Sequence, residues 1–103
     1  MAFTTGPGML DAVVLSVVSK QPQGTYGYKI TQDVRKILDV SESTLYPVLR
    51  RLQKEGYLET YDKEFDGRNR RYYQITQKGR ELHLSFKTGW LEYRQKIDSI
   101  LLE

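Results

Sequence analysis

The chain has 103 residues, a formal net charge of +3, no cysteine and a single histidine. That length bounds it to one domain with a modest core. Without cysteine there is no disulfide, zinc–thiolate site or thiol nucleophile, and a lone histidine builds no triad, so neither an enzyme nor a cofactor is expected.

Residues 1–8 read as a flexible arm, because Gly6, Pro7 and Gly8 resist regular structure. Residues 1–8 also lack the basic and apolar regions of a signal peptide. The longest strictly apolar run, Ala12 to Leu15, is too short to span a bilayer. A cytoplasmic protein with no membrane partner is expected.

The first helix is predicted over about residues 9–20. Leu10, Val13, Val14, Val17 and Val18 recur at helical spacing. The second is predicted from Tyr26 or Gly27 to Leu38, with Thr25 as cap and Tyr28, Ile30, Val34, Ile37 and Leu38 on its buried side. The third is capped by Ser41 or Ser43, runs to about Glu55 and stops at Gly56. Its Leu45, Val48, Leu49 and Leu52 share one side, while Pro47 calls for a late start or an irregular first turn.

Two strands follow, over about residues 57–64 and 71–76, joined through the turn signal Asp66-Gly67-Arg68-Asn69. In the second strand Tyr73 and Ile75 alternate with Tyr72 and Gln74. Thr76 caps a last long helix that reaches the C-terminus. The layout is mainly α with a small β-hairpin. It corresponds to a winged helix-turn-helix over residues 9–76 and a C-terminal dimerisation helix over 77–103.

The third helix pairs its apolar side with hydroxyls and cations, which suits major-groove contact. Ser43, Thr44, Tyr46, Arg50, Arg51 and Lys54 are the candidates. Arg50 and Arg51 lie about 100° apart on the helix, so one faces DNA more directly. The competing reading is a solvated face with an Arg51–Glu55 ion pair. In the hairpin, Arg68, Asn69 and Arg70 suit a minor groove or phosphates, although Asp62, Glu64 and Asp66 temper the field. Arg71 is the candidate for a pair across the hairpin. Tyr26 and Lys29 are placed to hold the DNA backbone.

In the last helix Phe86, Trp90, Tyr93, Ile97 and Ile100 form a seam with a/d spacing, too short to be a stable coil alone. Together with Leu10 and Val14 of the first helix it is the expected homodimer surface. Trp90 reads first as the largest residue of that seam. The alternative is an aromatic effector held between two copies, with Phe86 and Tyr93 completing the pocket. His83 reads as a partly buried helix residue.

Several pieces together resemble the PadR family of bacterial transcriptional regulators. They are Tyr26-Gly27-Tyr28-Lys29-Ile30, the run from Ser43 to Leu52, Glu55-Gly56-Tyr57-Leu58, and the run from Gly67 to Arg80. The single C-terminal helix is similar to the family's smaller subfamily. The resemblance implies a homodimeric winged-helix repressor on an inverted-repeat operator in double-stranded DNA, which some members release when a small molecule binds. Two rival readings are a ligand sensor at the dimer axis and a winged-helix module for an acidic protein partner.

Overall fold

The computed structural model describes residues 7–103. The elements run α1 (Pro7–Ser19), β1 (Thr25–Tyr26), α2 (Gly27–Arg35), α3 (Glu42–Lys54), β2 (Leu58–Phe65), β3 (Arg68–Ile75) and α4 (Gln77–Leu101). The three strands form one antiparallel sheet in the order β1-β3-β2. Four helices around this small sheet give the expected winged helix-turn-helix with a long C-terminal helix.

Of the arm expected over residues 1–8, residues 1–6 lie outside the described residues. Pro7 and Gly8 instead open α1. Proline is well suited to a first helical position, where its missing N–H has no helical acceptor to lose. Along α1, Val14, Leu15 and Val18 are fully buried, and Leu10, Val13 and Val17 pack around them.

The second helix differs from expectation at both ends. Thr25 is a buried strand residue rather than a cap, and Tyr26 occupies the cap position without a side-chain bond. The helix stops at Arg35, and the chain then turns so that Leu38 N–H reaches the Val34 carbonyl at 2.9 Å. That early stop carries Ile37 out of phase with Ile30 and Val34, leaving it 77% exposed. Tyr28 is 54% exposed as well. It lies about 200° round the helix from Ile30, on the far side from the core.

The Ser41 side chain caps α3 by accepting from Thr44 N–H at 3.2 Å. Pro47 therefore lies well inside a regular helix, and the helix loses the one hydrogen bond that this residue's N–H would have donated. Gly56 at φ +85° ends the helix. Its N–H donates to the Gln53 carbonyl, and Tyr57 N–H to the Leu52 carbonyl at 2.9 Å, which closes a Schellman turn. Leu45, Leu49 and Leu52 are buried, with Val48 beside them.

The hairpin turn is two residues long. Asp66 at φ 54° and Gly67 at φ 76° make the left-handed pair that a tight hairpin requires. Arg68 and Asn69 are accordingly strand residues, not turn residues. At the hairpin root Leu58, Tyr73 and Ile75 join the core, and Leu82 and Phe86 of α4 close it.

Thr76 caps α4, accepting from Gly79 N–H at 3.0 Å. A Cβ at Gly79 would lie 2.1 Å from the Tyr57 carbonyl oxygen and 2.8 Å from an Ile75 side-chain carbon. Backbone cannot yield as a side-chain tip can, so Gly79→Ala should destabilise the fold by about 3 kcal/mol. Urea unfolding checks this, and a loss below about 1 kcal/mol would show that α4 shifts freely.

Candidate nucleic-acid interface

The outward line of α3 runs through Ser43, Pro47, Arg50 and Lys54, all exposed. Arg50 and Lys54 have no acidic partner among the described residues. Arg51, a third of a turn away, is differently placed. It pairs closely with Asp11 of α1 and lies 3.6 Å from Glu55. The hydrogen bond to Asp11 is the main cause that holds its guanidinium still more firmly protonated. Ser43 and Thr44 hydroxyls stand 2.9 and 3.0 Å from Ser41 Oγ, within the cap. Lys29 spans to Asp33 at 2.9 Å.

Strand register sorts the charges of the hairpin. Opposite residues share a face, and Asp62 stands opposite Arg71 and Glu64 opposite Asn69. This is the face that begins with Leu58, Tyr73 and Ile75 at the core, and its Arg71–Asp62 pair is 3.8 Å apart. Lys63 stands opposite Arg70, and Phe65 opposite Arg68, on the other face with Tyr61 and Tyr72. Two of the three acids near the tip, Asp62 and Glu64, thus project away from Lys63, Arg68 and Arg70.

Between α3 and the hairpin is a notch of about 690 Å³. It is lined by Tyr26, Gly27 and Tyr28, by Tyr46, and by Asn69, Arg70, Arg71 and Tyr73. A Cβ at Gly27 would lie 3.3 Å from the Tyr46 ring and 3.4 Å from Tyr73. The glycine therefore lets α2 begin close against both rings. Burial, then the charge of Glu42, raises the Tyr46 pKa, so its phenol stays a hydrogen-bond donor.

The notch thus brings Tyr26, Tyr46, Asn69 and Arg70 together, with Arg50 and Lys54 on the helix face beside it and Arg68 at the tip. It does not gather Lys29 or Arg51. Pro47, Lys63 and Tyr28 were missed from the sequence. Helical spacing from Ser43 to Arg50 marks Pro47, and strand alternation marks Lys63. Tyr28 carried a signal too, since helical phase sets it opposite Ile30.

Residues 14–83 match the transcriptional regulator PadR-like family. The chain belongs to this family. It is 38% identical to a protein from Streptococcus mutans of known structure, with a TM-score of 0.85 over 98% of this chain and 93% of that one. A PadR-like transcriptional regulator from Bacillus cereus is 33% identical, with a TM-score of 0.83 over 93% of this chain and 94% of that one. A transcriptional regulator of Mycobacterium tuberculosis is 43% identical over 53% of this chain and 52% of its own length.

In this PadR-like chain α4 has two halves. Leu82 and Phe86 are buried against the domain, and beyond Phe86 no residue of α4 is buried. Val14 and Phe86, both expected in the dimer seam, are at most 4% exposed and lie in this chain's own core. Leu10 packs at the edge of that core. Trp90 and Ile100 are exposed, and the Tyr93 ring sits 6.3 Å from that of Trp90. A groove of about 330 Å³ between α1, α4 and the end of α2 is walled by Val13, Val17, Leu38, Phe86 and Trp90, with Lys20 and Lys87. Tyr93 is not among its walls. Among the described residues no cluster of histidine and acidic side chains could hold a metal, and no helix is long and apolar enough to cross a membrane.

His83 in the groove wall stands 2.8 Å from Ser16 Oγ, joining α4 to α1. Burial lowers its pKa below the ordinary 6.5, and Lys87, Arg80 and Lys20 add to the shift. The unfolded chain therefore takes up this proton first as pH falls. The neutral imidazole contributes stability above its unfolded pKa, and that contribution is lost as pH falls toward the lower folded value. The thermal midpoint should drop across the histidine range between about pH 7 and about pH 5, and His83→Gln should flatten that drop. An equal drop in both proteins would assign the effect to carboxylates instead.

Proposed function

We propose that this chain is a sequence-specific DNA-binding transcriptional repressor that reads an inverted-repeat operator as a homodimer. The observation that carries the reading is the outward line Ser43, Pro47, Arg50 and Lys54. It is a helix face with two cations that have no acidic partner among the described residues, beside a hairpin whose Lys63, Arg68 and Arg70 share one side. Laid in a major groove, Arg50 fits a guanine edge and the Pro47 ring a thymine methyl, while Lys54 meets phosphate. Arg68 enters the flanking minor groove or its phosphates. Tyr26 and Tyr46 hold the backbone at the notch. Arg51, committed to Asp11 and Glu55, orients α3 against α1.

The distal half of α4 supports the dimer. Trp90, Tyr93, Ile97 and Ile100 extend the a/d spacing past the end of the core, on a helix about 37 Å long. Leu10 contributes from α1. The dimer thereby joins two recognition helices, which is what a repeated half-site requires. The reading assigns no catalytic chemistry to the protein and places it in the cytoplasm. The groove beside Trp90 supports a second element, relief by a flat apolar effector held between α1 and α4 near the dimer seam. A winged-helix module for an acidic protein would use the same cations without sequence preference.

Selection from a random duplex pool at physiological salt should enrich an inverted repeat. A folded protein that enriches none would shift the reading to the protein-interaction module. On the enriched site Arg50→Ala should cost about 1–3 kcal/mol, and less on random duplex. Arg51→Ala should chiefly lower the thermal midpoint. The reverse ranking would make Arg51 the reading residue.

Ile97→Asp combined with Ile100→Asp should yield monomers by light scattering, with operator affinity reduced by more than about tenfold. A dimer that survives both changes would place the interface elsewhere.

A further inference from the structure

Arg70 is held unlike the other arginines of the hairpin. Its guanidinium carbon lies 4.1 Å from the centre of the Tyr26 ring and 4.2 Å from the centre of the Phe65 ring. It has no acidic partner among the described residues, and it is partly buried where its neighbours Asn69 and Arg71 are exposed. Tyr26 belongs to β1 at the root of α2, and Phe65 ends β2 at the hairpin tip. One planar cation therefore joins the body of the domain to the tip of the wing.

The contact continues inward as a stack. The Tyr26 ring meets Tyr72 edge-on at 5.8 Å, and Tyr72 stacks on Tyr61 at 5.4 Å with an 11° tilt. The Tyr61 hydroxyl then donates to the Gln23 carbonyl at 2.5 Å. Gly24, at φ +101°, leaves the space this needs, since a Cβ there would lie 2.6 Å from the Tyr61 oxygen. The stack matters because little else supports the outer hairpin. From Tyr61 to Phe65 every residue of β2 is exposed, so no apolar core lies beneath the tip.

We infer that Arg70 is a positioning residue: clamped between Tyr26 and Phe65, it sets the angle of the wing, and so delivers Arg68 to DNA, by its flat guanidinium face rather than by its charge. This rests on the DNA reading proposed above. Lysine keeps the charge and loses the planar face. Leucine at position 65 keeps apolar bulk and loses the ring, whereas tyrosine keeps the ring.

Arg70→Lys and Phe65→Leu should each weaken binding to the selected duplex about three- to fivefold, with the salt dependence unchanged. Phe65→Tyr should bind as the parent does. Combining Arg70→Lys with Phe65→Leu should cost no more than the larger single loss, because both remove one clamp. In the Phe65→Leu background, Arg68→Ala should cost less than it does in the parent. Wild-type affinity in Arg70→Lys, with a shallower salt slope in Arg70→Ala, would make Arg70 an ordinary phosphate contact and overturn the inference.

Two readouts need no DNA. The side-chain protons of Arg70 should resonate upfield between the two rings. Phe65→Leu should move them downfield and speed amide exchange over residues 64–68. If the pool enriches no duplex, the DNA reading fails by itself and the clamp is judged on these signals. Unshifted Arg70 protons would overturn it, and shifted ones would uphold it as the wing's anchor.

Discussion

The face that α3 and the wing present depends on one junction, where Thr76 meets the end of α3. Its hydroxyl donates to the Gly56 carbonyl at 2.7 Å, also reaches the Tyr57 carbonyl at 3.1 Å, and accepts from Gly79 N–H. Lys78 reaches the Glu55 carbonyl at 2.7 Å and lies 4.5 Å over the Tyr57 ring. The last carbonyls of a helix have no partner within it. In α3 the turn at Gly56 supplies them to Leu52 and Gln53. Thr76 and Lys78 take up the carbonyls that follow, those of Glu55, Gly56 and Tyr57, with Gly79 letting α4 approach closely enough to do so. The end of α3, the root of the wing and the start of α4 thus meet at one hydrogen-bonded corner. A displacement of α4 cannot leave α3 where it was.

The same economy divides the arginines. Arg51 and Arg70 are fixed by the fold, one on Asp11 of α1 and the other between two rings. Arg50 and Arg68 project from the elements those two hold in place. Arg51 is part exposed but the Asp11 side chain keeps only 15% of its surface in solvent, so the contact contributes stability as well as geometry. It ties α3 to α1 on the flank away from the wing, and Arg70 ties the wing on its own side. Strand alternation completes the arrangement by placing Asp62 and Glu64 on the opposite face from Lys63, Arg68 and Arg70. A hairpin with almost balanced charge in sequence becomes one-sided in space.

Most of the architecture was legible because it rests on local signals. Ser41, Gly56, Asp66-Gly67 and Thr76 each act within a few residues, and each stands at the boundary it marks. Periodicity served for α1, α3 and α4, whose apolar residues repeat without interruption. It failed where tertiary context decides. The strand β1 is two residues long and exists only through pairing with Tyr72 and Tyr73, which no periodicity can announce. Ile37 has helical phase, but the helix has already ended. Val14 belongs to the apolar stripe of α1 and Phe86 to the seam of α4, yet spacing does not say which surface a stripe covers. The Arg51–Asp11 pair spans α1 and α3, so only the Glu55 half of its partnership could be foreseen.

Phe86 marks where α4 changes role, and that position has a mechanical consequence for the proposed repressor. Before it, Leu82, Phe86 and the His83–Ser16 contact fasten the helix to α1. After it, the apolar line of Trp90, Tyr93, Ile97 and Ile100 continues with no core beneath. The groove lies across this transition, with Trp90 and Phe86 in one wall and α1 in the other. An occupant between α1 and α4 would press on the two helices that hold α3, one through Asp11–Arg51 and the other through Thr76. In a dimer joined by the distal halves, the resulting rotation acts on both recognition helices at once. A small change at Trp90 would therefore be read as a change in half-site separation, which a fixed operator does not tolerate.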